Sequence, residues 1–225
     1  MNAPLRKTDT PWEFHYWTPE PWWGGQSAFV LASGPSLTQE VCDKVRGRNV
    51  IVINKSFRLA RWAPVWFFTD SSIYEAFREE VAAWPGEVIT MSRTAKRELN
   101  QRVKRVQGWG DPTLPAGVFP AAGAPHIRQG RSSGHTGISL AIALGATRVF
   151  MLGFDMRLVE GREHHHEGYA GPRDVDVYPR DFVPGFDGWN ADALKVGVQI
   201  FNCTPGSAVT EFPFVDLDDV LREAA

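Results

Sequence analysis

Cysteine is nearly absent: Cys42 and Cys203 are the only two in 225 residues, far apart and without metal-ligand spacing. That excludes a disulfide framework and a cysteine metal knuckle, and fits buried thiols in a reducing compartment. Charge of one dominant sign is also lacking. A formal net charge of −2 gives no global pull toward nucleic acid or an anionic membrane. Basic residues cluster only locally, at 93–105 and 128–131. No apolar run reaches membrane-spanning length, and the first twenty residues carry no signal-peptide core. The expectation is a soluble, cytoplasmic protein without a membrane partner. Neither Gly-Lys-Ser/Thr nor Gly-x-Gly-x-x-Gly occurs, so ordinary P-loop and dinucleotide readings lose support. There is no internal repeat and no low-complexity tract.

With 43% hydrophobic and 22% charged residues, the chain is long and apolar enough for one well-filled core. Residues 1–26 read as an irregular arm rich in Trp and Pro, without any period. Its tryptophans are costly to leave in water, so the arm is expected to pack on the domain or on a partner subunit as a homo-oligomer contact. Residues 27–225 read as a single α/β domain. Short apolar runs, "SAFVLA" (27–32), "NVIVIN" (49–54), "VWFFTD" (65–70), "EVITM" (87–91), "RVFMLGFD" (148–155) and "VQIFNC" (198–203), predict buried strands. Between them lie predicted helices from Leu37 to about Arg46, from Ser71 to Trp84, through a basic segment to about Arg102, over 133–145 and near 187–197. A closing helix is predicted near 216–223, a Gly/Pro-rich loop over 108–130, and a lid-like irregular stretch over 157–186. Fully apolar strands alternating with helices predict a three-layer α/β sandwich around a mainly parallel, Rossmann-like sheet.

Ligands of such sheets sit beyond the carboxyl ends of the strands, at the topological switch point. Here those ends carry Ser33-Gly34-Pro35-Ser36, Asn54-Lys55-Ser56, Thr69-Asp70-Ser71-Ser72, Gly153-Phe154-Asp155 and Asn202-Cys203-Thr204-Pro205. Each has a structural alternative: Ser36 with Gln39 spells a capping box, and Asn54, Ser56, Asp70 or Ser71 can cap the next helix. Their joint appearance at one rim favours a ligand. Gly34 lets backbone approach a ligand closely, ahead of a helix N-terminus. The turn Ser132-Ser133-Gly134-His135 opens a second such helix. Two helix starts at one rim suit a diphosphate or a nucleotide. Asp155 is read as a ligand contact, or as a cap or ion pair with Arg157 or Arg131.

"FVLASGPSL", "VIVINKSF", "VWFFTD", "SSGHTGISLAIALGATRVFMLGFDM" and "GVQIFNCTPGS" fall in an order that resembles a group of nucleotide-using transferases. The group comprises the sialyltransferases of glycosyltransferase family 42 and the MptE-like 6-hydroxymethylpterin diphosphokinases. The chain also looks like phage and prophage proteins that share the Gly-Pro-Ser-Leu loop and the Gly-Phe-Asp-Met strand end. By that resemblance Ser33, Gly34, Pro35, Ser36, Asn54, Ser133 and Gly134 surround a nucleotide; from their own positions Asp70 and Asp155 at the strand ends and His135 in the helix-opening turn are read as further contacts, His135 alternatively as a packing residue. Ser33 stands where the sialyltransferases usually carry Asn.

The loop "GREHHHEGYAGPRDVDVYPRDF" has three readings. Two of its histidines with Glu167 or Asp155 can make a metal site, or the loop is simply a solvated polar stretch. The third reading is catalytic: a His takes a proton from an acceptor hydroxyl while a Tyr steadies the leaving phosphate. The resemblance implies a lid that supplies those groups, from His164, His165, His166, Tyr169 and Tyr178. The leading expectation is a nucleotide-dependent transferase, glycosyltransferase-like, with a nucleotide sugar as donor substrate and no resident cofactor. The alternatives are a diphosphokinase using ATP and Mg²⁺, with Asp155 or a His as ligand, and a nucleotide-binding phage protein without turnover.

Overall fold

The computed structural model describes residues 15–109, 119–167 and 174–223. Seven strands form one all-parallel sheet: β1 (Ser27–Leu31), β2 (Asn49–Ile53), β3 (Val65–Phe68), β4 (Glu87–Thr90), β5 (Val103–Arg105), β8 (Arg148–Leu152) and β9 (Gln199–Asn202). Their order across the sheet is β5-β4-β3-β2-β1-β8-β9, so the chain builds outward from β1, then returns to β1's other side at β8. The switch point therefore lies between β1 and β8, paired in register from Ser27 opposite Arg148 to Leu31 opposite Leu152. Two further strands, β6 (Gln107–Trp109) and β7 (His126–Arg128), form a separate parallel pair.

Period-two side-chain alternation divides the core between the faces. In β2, Val50 and Val52 join one apolar cluster while Ile51 and Ile53 join the other. Helices α1 (Gln39–Lys44), α2 (Ser71–Ala76), α3 (Arg78–Ala82), α4 (Arg93–Leu99) and α7 (Leu217–Glu223) cover the Val50 face. Helices α5 (Ser133–Ala143) and α6 (Trp189–Lys195) cover the Ile51 face. All eleven residues of α5 are buried. Gly137 explains how close α5 comes: a Cβ there would stand 2.5 Å from Ile53 Cδ1. The arrangement is the α/β three-layer sandwich that the alternation of runs predicts.

Three local features depart from or add to the sequence reading. The helix read over 71–84 is two short helices broken at Phe77 (φ −137°, ψ 39°), whose ring is drawn into the core beside Phe57. The basic helical segment does reach Arg102, as α4 to Leu99 and a 3-10 turn over Asn100–Arg102, and directly after it Val103–Arg105 forms the edge strand β5, paired with β4, which no run predicted. The Gly/Pro-rich loop over 108–130 contributes β7, whose Arg128 N–H is held by Ser139 Oγ of α5 at 2.7 Å. These strands have three residues each, too few for alternation to show.

Residues 15–26 pack on the chain's own domain. Trp17 N–H donates to the Arg105 carbonyl at 2.7 Å, and Lys104 Nζ lies over both Trp17 and Trp22. Trp23 is buried against the end of α5, its N–H on the Leu144 carbonyl. The described arm thus shields the sheet edge at β5, where unpaired backbone would otherwise face water. Residues 1–14 lie outside the described residues. Among the described residues no helix is long and apolar enough to cross a membrane.

Candidate functional site

Beyond the carboxyl ends of β1 to β4 and β8 lies a cleft of about 750 Å³, within the range of small-molecule sites. Ser33 and Gly34 follow β1 into it, Asn54 follows β2, Thr69 and Asp70 follow β3, and Gly153 follows β8. The start of α5 supplies Ser132, Ser133, Gly134 and Thr136, preceded by Arg131. Glu163, His164, Asp174 and Tyr178 complete the lining from the 157–186 stretch. Of the residues nominated from sequence, Ser33, Gly34, Asn54, Asp70, Ser133, Gly134, His164 and Tyr178 converge on this cleft. Pro35, Ser36, His135, Asp155, His165 and His166 stand outside its lining. Tyr169 lies outside the described residues.

The Gly-Pro-Ser segment is closed by the chain itself. Gly34 N–H donates to the Gly153 carbonyl at 2.8 Å, and Pro35 has no N–H to offer. Ser36 donates twice to Asp155 Oδ2, from its hydroxyl at 2.7 Å and its N–H at 3.3 Å. A Cβ at Gly34 would stand 2.0 Å from Asp155 Oδ2 and 2.5 Å from the Gly153 carbonyl oxygen. Position 34 has to be glycine to make room for Asp155 and the Gly153 carbonyl. The expected capping box is not formed either. Helix α1 starts at Gln39 and is capped by Thr38, whose Oγ1 accepts from Val41 N–H at 3.2 Å. Gln39 instead donates to the Leu59 carbonyl and to Asp43. Of the two helix starts nominated from sequence, only that of α5 therefore stays without a side-chain cap at the rim.

Asp155 is 1% exposed, and burial raises its pKa against the two Ser36 hydrogen bonds that lower it. Among the described residues it makes no salt bridge: Arg157, whose charge lowers the Asp155 pKa only as the smallest of its causes, donates from Nε to the Gly206 carbonyl at 2.6 Å, and Arg131 turns to the cleft. Asp155 is thus a structural clasp between β8 and the β1 loop. The metal reading that joined it to two histidines is not formed. Among the described residues no three His, Cys, Asp or Glu side chains are placed to hold one ion.

His135 is fully buried, stacked on Phe186 with ring centres 3.6 Å apart, and its Nδ1 meets Ser132 Oγ at 2.8 Å. Burial pushes its pKa down to about 3, so it packs as a neutral ring. The three consecutive histidines take different environments. His165 N–H donates to the Ser33 carbonyl at 3.1 Å, and its Nε2 is 3.4 Å from the buried Ser56 Oγ. Burial lowers its pKa to about 4. His166 stacks on His164 with ring centres 4.9 Å apart, its Nδ1 beside the Glu167 carbonyl. Only His164 of the three reaches the cleft, with Glu163 Oε2 3.9 Å from its Nε2.

Helix α5 begins at Ser133 with Ser132 as N-cap, and no side chain caps it because Ser132 Oγ is engaged by His135. Asn54 holds the left-handed φ of 50°, uncommon outside glycine, and caps no helix. Its carbonyl accepts from Trp66 Nε1 at 2.8 Å, while its buried Oδ1 has no partner among the described residues. Thr69 stands in the cleft as its strand-end group predicted, whereas Arg131, Glu163 and Asp174 are cleft residues that the motifs did not single out. Arg131 adjoins the Ser132-Ser133-Gly134 turn, and that position was the available signal. Comparison with protein-family models, with curated proteins and with solved structures returns no match to this chain, so the reading of the site rests on its own geometry.

Proposed function

We propose that the chain is a nucleotide-dependent transferase, glycosyltransferase-like, that takes a nucleotide sugar in the cleft at the β1–β8 switch point. The observation that carries this reading is the uncapped start of α5, which opens into the cleft beside Arg131. Free N–H groups, the positive end of the helix dipole and a guanidinium together form a seat for a phosphate. Among the described residues Arg131 has no ion-pair partner to satisfy it otherwise.

In this reading His164 takes the proton from an acceptor hydroxyl, and the acceptor oxygen attacks the anomeric carbon of the donor sugar. The bond from that carbon to the phosphate oxygen breaks, and the nucleoside phosphate leaves with the bonding electron pair. Its charge is received at the α5 start. Tyr178, buried on the cleft wall and packed edge-on to Phe182, is assigned in this reading to steady the departing phosphate. The two cysteines are free and buried, with burial raising both pKa values to about 12. Inert thiols accord with a cytoplasmic setting for such an enzyme.

The test is nucleotide release. Purified chain incubated with a panel of nucleotide sugars and simple acceptors should liberate nucleotide from one donor, and His164→Ala should slow that release by about 100-fold or more. Saturable binding with no release in any combination would leave a nucleotide-binding protein without turnover.

A further inference from the structure

At the start of α5, Thr136 N–H closes on the Ser132 carbonyl at 3.3 Å, whereas the N–H groups of Ser133, Gly134 and His135 find no acceptor among the described residues. Ser132 stands where a serine hydroxyl ordinarily accepts from the second or third of these groups. Its backbone is extended as an N-cap requires, with φ −140° and ψ 165°, yet the cap is not made. The hydroxyl is held elsewhere. Ser132 Oγ lies 2.8 Å from Nδ1 of His135. A proton on Nε2 makes Ser132 the donor in that contact and a proton on Nδ1 makes it the acceptor; in both cases the hydroxyl is fixed against the ring. The ring itself is fixed in turn. It is fully buried, stacked on Phe186 at 3.6 Å and edge-on to Trp189 at 5.3 Å. Two glycines leave the slot it occupies: a Cβ at Gly130 would stand 2.2 Å from His135 Cβ, and one at Gly185 2.8 Å from its Nε2.

We infer that His135 is a positioning residue for the phosphate seat: it holds the Ser132 hydroxyl aside, so that the first-turn N–H groups of α5 stay open to an anion. The inference rests on the nucleotide reading above, in which those groups receive phosphate. Without Nδ1 the hydroxyl would turn onto the N–H of Gly134 or of residue 135, cap the helix as serine ordinarily does, and occupy a donor that the ligand needs. The stability of a capped helix is given up for an open seat. The same ring joins the seat to the lid-like stretch, because Gly185 and Phe186 pack on it from the segment whose Tyr178 and Phe182 line the cleft.

The experiment is titration calorimetry on the full chain with CMP, UDP, GDP and ADP, the tightest of which is carried through the variants. His135→Phe keeps a ring in the slot and removes Nδ1. It should bind about fivefold more weakly than the wild type, the worth of one helix cap. Ser132→Ala alone should bind within about twofold of the wild type, and adding it to His135→Phe should restore the affinity, since no hydroxyl remains to cap the helix. If His135 served packing alone, the double variant would stay as weak as His135→Phe. That result overturns the inference, as does undiminished binding by His135→Phe, and both leave the nucleotide site standing. Where His135→Phe does not fold, Ser132→Asn decides, because asparagine caps a helix with its own amide oxygen. Binding about fivefold weaker supports the inference, and binding equal to the wild type overturns it. Failure of all four nucleotides to bind the wild type overturns the nucleotide reading itself, and the role of His135 with it.

Discussion

Asp155 Oδ2 receives both the hydroxyl and the backbone N–H of Ser36, a residue 119 positions earlier in the chain. The contact ties the end of β8 to the loop after β1 and so sets the width of the switch point. Removing the carboxylate leaves two donors of Ser36 without their acceptor. Asp155→Ala should therefore lower unfolding free energy by about 1–3 kcal/mol in urea titration. An unchanged midpoint would mean the clasp does not hold the rim.

Gly34→Ala probes the same clasp from the other side. The added Cβ has no room between Asp155 Oδ2 at 2.0 Å and the Gly153 carbonyl at 2.5 Å. The expected cost is about 1–3 kcal/mol, seen with no ligand present. Part of that cost should vanish when Asp155 is already Ala, because its carboxyl group is gone and only the Gly153 carbonyl still obstructs. A double-mutant cycle with coupling of about 0.5 kcal/mol or more is the expected result. Strict additivity would show that Gly34 and Asp155 act apart.

His135 gives the fold an acid sensitivity whose sign is set by burial. The folded state keeps the ring neutral down to about 3, whereas an unfolded chain protonates it near 6.5. A depressed value contributes stability in full above the unfolded value, and that stability drains as pH falls toward the folded one. Between pH 8 and pH 5 the loss from His135 should be about 2 kcal/mol, and His165, held at about 4, adds a loss of the same sign. The slope of stability against pH should be flatter in His135→Asn. Equal slopes would place the acid sensitivity elsewhere.

Replacing the three histidines singly separates their surroundings. His164→Ala should remove turnover while leaving the fold unchanged, since the ring lines the cleft. His166→Ala should leave turnover within a few-fold. His165→Ala should loosen the segment it fastens to Ser33, which amide hydrogen exchange over 157–167 reads directly. Greater turnover loss in His166→Ala than in His164→Ala would contradict the assignment of the base.

The apolar runs of β1 to β4, β8 and β9 made the layered sheet and its rim legible, because a strand buried on both faces has little choice of residue. What escaped is of two physical kinds. Strands β5, β6 and β7 span three residues and owe their existence to neighbours rather than to pattern. The helix over 71–84 kept its helical spacing in sequence and broke only because Phe77 is drawn inward. At the site, Ser33, Asn54, Asp70 and Ser133 were readable from strand ends and helix starts. The Ser36–Asp155 clasp was not, since a contact across 119 residues leaves no local spacing. Three identical histidines likewise carry no mark of which one faces the cleft. That choice is made by the backbone bond from His165 to Ser33.

The central claim is that phosphate sits at the start of α5, and Ser133→Asp tests it most directly. An acidic residue in the first turn suits the helix dipole, so the variant should keep its fold, yet it places negative charge where the phosphate would lie. Unfolding free energy of both proteins is measured with and without saturating nucleotide or nucleotide sugar. The wild-type chain should gain about 2.7 kcal/mol at ligand concentrations one hundred times the dissociation constant, and Ser133→Asp should gain nothing. Equal stabilisation of the two proteins, or none in the wild type, would contradict the account.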